Sequence, residues 1–165
     1  MRKRMMALTI AACAISVGLS GIALAGGDSL PQPEGEAVYE YITETNPYQE
    51  WALYPGTDKL YEGQHPHGAL LTTYVSKKAE KAITSRSGQF PDDSIIVKEN
   101  YMPDETLGAV TVMYRVDGYN PDAGDWFWAK YKADGDIEKE GKVAGCIGCH
   151  TAAIENDWVF TGPVK

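Results

Sequence analysis

The chain has 165 residues, 23 acidic against 15 basic side chains, and a formal charge of −8 at pH 7. That length suits one domain rather than several. The acidic balance argues against nucleic acid or an anionic membrane as a partner, and a charged protein partner is expected to be basic.

The predicted elements begin with an export signal. "MRKRM" is a basic n-region, "ALTIAACAISVGLSGIALA" is apolar, and Ala23-Leu24-Ala25 is a small-residue cleavage site. Residues 1–25 therefore read as a secretory signal peptide, which implies a periplasmic protein with no membrane attachment after cleavage. The mature chain, Gly26–Lys165, keeps 140 residues, and losing Arg2, Lys3 and Arg4 takes the formal charge to −11. Cys13 leaves with the signal, so Cys146 and Cys149 are the cysteines that remain.

Residues 26–35, "GGDSLPQPEG", are rich in Gly and Pro and predict a disordered lead-in to a single domain over 36–165. In "EAVYEYITET" Val38, Tyr41 and Ile42 recur at helical spacing, and Asn46-Pro47 stops the helix. "NPYQEWALYPG" predicts a second short helix. "GALLTTYVS" predicts a strand, and a short helix with Ala79, Ala82 and Ile83 on one face follows. Three further strands are predicted in "DSIIVKENY", "AVTVMYRV" and "WFWAKYK". In the second, Val110, Val112, Tyr114 and Val116 alternate with Thr111, Met113 and Arg115, the pattern of a half-buried strand. The separators "MPDETLG" and "DGYNPDAGD" suit hairpin-like turns better than helical crossovers. The fold class is α+β: a mostly antiparallel sheet, peripheral helices and a C-terminal helical turn.

That turn carries the chemistry. Cys146-Ile147-Gly148-Cys149-His150 fits CxxCH, the attachment pattern of c-type haem. On a helix, residues i and i+3 share a face, so both thiols reach the two haem vinyl groups while His150 offers an imidazole nitrogen to the iron. One such motif implies one haem c, held by two thioethers. A zinc site would want four ligands, and His65 and His67 lie far away in sequence. The tail beyond His150 holds no Met or His. A sixth iron ligand must then come from Met102, Met113, His65 or His67, or be absent. The expectation is a five-coordinate iron.

The stretches "FPDDSIIVKENY", "GDWFWAKY", "GCIGCH" and "NDWVFTG", in this order, resemble the cytochrome P-460 family, which includes the β-sheet cytochromes c′-beta. The resemblance spans about Trp51 to Pro163. It implies a haem protein that binds nitric oxide or oxidises hydroxylamine, passing electrons to a redox partner such as another cytochrome, and it suggests a homodimer. In the hydroxylamine-oxidising members a strand lysine is bonded to the porphyrin edge, and Lys98 matches it. Phe127 is the residue implied for a ring in the distal pocket, by resemblance to phenylalanine-capped relatives. Oxidation would also need a proton acceptor, with Glu138, Glu140 and Asp125 as candidates. Three functions stand side by side: an oxidoreductase for small nitrogen compounds, a non-catalytic nitric oxide-binding module, and a six-coordinate electron carrier.

Overall fold

Period-two side-chain patterning gives this chain its strands, and the sheet they build is its frame. The computed structural model describes residues 29–165, so the predicted signal peptide lies outside the described residues. The chain runs through α1 (Gly35–Glu40), a π turn (Tyr41–Thr45), a 3-10 turn (Tyr48–Glu50), β1 (Ala52–Leu53), β2 (Tyr61–Glu62), β3 (Leu70–Val75) and α2 (Lys77–Thr84). It continues through β4 (Ile95–Tyr101), β5 (Leu107–Arg115), a 3-10 turn (Pro121–Ala123), β6 (Trp126–Lys132), β7 (Ile137–Gly141), α3 (Ala144–His150) and a last 3-10 stretch (Thr151–Asn156). The strand order is β1-β3-β4-β5-β6-β7, with β2 also paired to β3. Every pairing is antiparallel. This is the α+β sheet fold expected.

Alternation divides the sheet into two faces. On one, Ile95, Val97, Val112, Tyr114, Phe127, Ala129 and Tyr131 pack against Val38, Tyr41 and Ile42 of α1 and the turn after it. On the other, Ile96, Met113, Trp126 and Trp128 pack under α2 and the C-terminal segment. β5 is therefore covered on both faces over much of its length: Met113 and Arg115 are buried along with Val112 and Tyr114, where a half-buried strand was expected. The helix predicted in "NPYQEWALYPG" is only the Tyr48–Glu50 turn, after which the chain becomes β1. Of the lead-in expected to be disordered, residues 26–28 lie outside the described residues. Beyond them the Pro31 carbonyl accepts a hydrogen bond from Tyr114 Oη at 3.2 Å, and Gly35 opens α1.

One buried ion pair ties the chain's last segment to the sheet. Arg115, at the end of β5, donates from Nη1 to both carboxylate oxygens of Asp157 at 2.9 Å, and both side chains are buried. Asp157 Oδ2 also accepts the Phe90 backbone N–H at 2.7 Å. Asp157 and Trp158 both sit in the left-handed region, at φ 53° and 70°. For a bulky residue such as Trp158 this backbone is strained and persists only where the surroundings impose it.

Removing one partner of a buried pair leaves the other charge without compensation. Arg115→Leu should therefore destabilise the fold by about 3–5 kcal/mol, read as a lowered urea midpoint with an unchanged slope. A loss within experimental error would mean that the pair does not hold the segment.

Candidate haem site

The CxxCH residues occupy α3, whose Cys146 and Cys149 are three positions apart and whose last residue is His150. Both thiols are free, Cys146 half-buried and Cys149 exposed. α3 lies against the second core face, where Val143, Cys146 and Ile147 pack on the cluster containing Trp128.

His150 is fixed by its surroundings. Its Nδ1 lies 2.6 Å from the Trp158 carbonyl. A carbonyl can only accept, so Nδ1 carries the proton and Nε2 keeps its lone pair. The Trp128 ring lies 4.6 Å from the imidazole and the Phe160 ring 5.2 Å, both edge-on. Burial holds His150 below the usual histidine range, against the opposing effect of the Trp158 carbonyl. A neutral, oriented imidazole with a bare Nε2 is the form that binds a metal. With two thiols at i and i+3 and aromatic walls beside them, the donor set fits a c-type haem.

The sheet face below this histidine is built in rows. Ile96, Met113 and Trp128 lie side by side across β4, β5 and β6, and two residues further along lie Lys98, Thr111 and Lys130, with Thr73 of β3. The next row holds Asn100 and Ala109. Lys98 is half-buried, its Nζ donates to Thr161 Oγ1 at 3.3 Å, and among the described residues it has no carboxylate partner. Burial lowers its amine to about 8, and its charge is felt by both His67 and His150. Lys98 and the CxxCH residues therefore meet on one face.

Phe127 does not join them. The same alternation that turns Trp126 and Trp128 toward His150 turns Phe127 to the opposite face, where it packs with Tyr119 at 5.8 Å between ring centres. The rings near His150 are instead Trp128, at 4.6 Å, and Phe160 of "NDWVFTG", at 5.2 Å and 58% exposed. Two of the candidate carboxylates are engaged elsewhere: Glu140 accepts the Gly35 N–H, and Asp125 accepts the Asn120 N–H at 2.9 Å. Glu138 pairs at 2.9 Å with Lys130, at the edge of the Lys98 row. Among the candidate sixth ligands, Met113 is core packing, while Met102 and His65 are exposed. His67 is different: it lies 6.3 Å from His150 between ring centres.

An antiparallel sheet with a CxxCH helix closing over one face defines a haem-bearing β-sheet protein rather than a helical-bundle cytochrome. The family model for cytochrome P460 matches residues 45–161, and the chain belongs to the cytochrome P460 family. Membership implies a haem cofactor and relates the chain to haem c proteins of hydroxylamine oxidation or nitric oxide binding. No curated protein matches the chain. Among the described residues no helix is long and apolar enough to cross a membrane.

The two phenylalanines separate by experiment. Phe127→Ala should cost about 3–5 kcal/mol of stability, as for a buried ring, and leave the haem absorption bands in place. Phe160→Ala should shift those bands with little loss of stability. The reverse pattern would put Phe127 in the haem pocket.

Proposed function

We propose that the chain is an exported, single-haem c-type protein that binds hydroxylamine or nitric oxide at the iron position opposite His150, and that it oxidises hydroxylamine. One observation favours oxidation over simple binding: Lys98 stands on the His150 face, without a carboxylate, with its amine near half-neutral at pH 8. The haem supplies a redox-active iron with a coordination position for a small ligand.

The chain's own residues supply the rest. Cys146 and Cys149 would hold the haem through two thioethers, and the Trp158 carbonyl sets the direction in which His150 offers Nε2. Lys98 presents a nucleophilic amine, since burial beside apolar surface favours the neutral form. With haem bound, joining the Lys98 nitrogen to a porphyrin carbon would exchange an N–H and a C–H for a C–N bond, the two protons and two electrons passing to hydrogen peroxide, which becomes two waters. Turnover electrons leave to a redox protein, and the acidic chain favours a partner with a basic face. Export rests on the basic n-region, apolar stretch and small-residue site of residues 1–25.

Titrating the holoprotein with nitric oxide and with hydroxylamine tests this reading. The visible bands should change with either ligand, and hydroxylamine should reduce an added electron acceptor. Bands that ignore both at saturation would make the protein an electron carrier. A digest should show haem bridging the Lys98 peptide to the Cys146–Cys149 peptide. During maturation in vitro, the bridged yield should rise from pH 7 to pH 9, as the neutral fraction of an amine near 8 goes from about one-tenth to about nine-tenths. Separate peptides at every pH would leave a nitric oxide binder.

A further inference from the structure

His67, the one candidate sixth ligand that lies beside His150, sits in the turn between β2 and β3. Its Nδ1 lies 2.9 Å from Asn100 Oδ1. Asn100 itself is oriented by the sheet: its Nδ2 donates to the Lys98 carbonyl at 2.9 Å and to the Ala109 carbonyl at 3.3 Å, leaving Oδ1 as the acceptor. Oδ1 also takes the Gly68 N–H at 3.3 Å. His67 therefore carries its proton on Nδ1, and Nε2 has no partner among the described residues. Gly68 lets the turn lie this close, because a Cβ there would meet the Tyr101 backbone nitrogen at 2.5 Å.

His150 shows the same arrangement on the other side. It lies over Trp128, in the row of Ile96 and Met113, while His67 is tied to the row of Asn100. The row of Lys98 runs between them. Both rings have Nδ1 locked by an oxygen, both keep a bare Nε2, and their centres are 6.3 Å apart with planes at 84°. Two imidazoles on opposite sides of one metal have ring centres about 6 Å apart, since each metal–nitrogen bond is about 2 Å and each ring centre lies about 1 Å behind its nitrogen.

We propose that His67 is a second axial ligand of the haem iron, held by Asn100 and displaced when a small ligand binds. This rests on the reading of the protein as a haem c protein with a ligand position opposite His150, and adds what fills that position at rest. The five-coordinate state is then the one reached when the 64–68 turn yields: the iron–His67 bond breaks and the bond to the incoming ligand forms.

The test uses ferric holoprotein and the variants His67→Ala and His67→Gln, with electron paramagnetic resonance and absorption spectra as readouts. Wild type should be low-spin with bis-imidazole signals. Both variants should become high-spin, and free imidazole should restore the low-spin spectrum. Cyanide binding should saturate with concentration in wild type, limited by release of His67. In the variants it should stay linear and run about tenfold or more faster at low cyanide, because the conformational penalty is removed. A high-spin wild type, or variants that remain low-spin without added imidazole, would overturn the proposal. Circular dichroism and a haem-to-protein mass ratio keep misfolding apart from ligand loss; absence of bound haem in folded wild type would instead remove the haem reading itself.

Discussion

The buried contact between Arg115 and Asp157 is the constraint on which the site depends. It fixes the point where the chain, having left α3, turns back across the sheet, and it holds Asp157 and Trp158 in left-handed backbone. That backbone aims the Trp158 carbonyl at His150 Nδ1. A side chain three strands into the sheet thus decides which nitrogen of a helix-terminal histidine is free. The tail is held a second time by Asn156, whose amide donates to the Val159 and Gly162 carbonyls and whose oxygen accepts the Val164 N–H. With Val164 fully buried, the segment carrying Phe160 and Thr161 is pinned at both ends. The walls of the site are therefore rigid, as a site that must orient metal ligands requires.

The sheet contributes a different constraint. One face is filled from end to end by tyrosines, aliphatics and α1. The other is filled only around Trp126, Trp128, Met113 and Ile96, where α2 and α3 cover it. Beyond that cluster the face carries Lys98, Thr111 and Lys130, which are half-buried rather than enclosed. A half-covered apolar face bordered by lysines and threonines is a poor protein core and a good seat for a flat, amphipathic cofactor. The cleft lined by Glu36, Tyr39, Glu40 and Glu44 is acidic and the one lined by Lys78, Lys81 and Phe90 is basic, and neither is lined by His150.

Much of this was legible in the sequence. CxxCH located the haem turn because its chemistry needs a fixed local spacing. The strands β4, β5 and β6 announced themselves by alternation, and Lys98 by its place in "SIIVKEN". What stayed hidden depended on which face each residue takes in three dimensions. β7, "IEKEG", is an exposed edge strand whose charges guard against further pairing, so it lacks the apolar pattern that marks a strand. Phe127 belonged to a run of aromatics that fill both faces, and only the register with Tyr114 decides its side. His67 looked like an ordinary turn histidine, because the contact that gives it direction comes from Asn100, 33 residues away.

Asn100 also explains how three features of the site come to be linked. Its side-chain nitrogen holds the Lys98 carbonyl, and its oxygen holds His67 and the turn that bears it. The strand that positions the Lys98 amine therefore also sets the distance between the two imidazoles. A change in the seating of Lys98 on the porphyrin edge would move the anchor of the opposite ligand, and displacement of that ligand would bear on the strand carrying the lysine. On the proposed reading, a bonded Lys98 and a displaceable His67 would be two ends of one lever, with access to the iron set through the buried Asn100 amide that holds both.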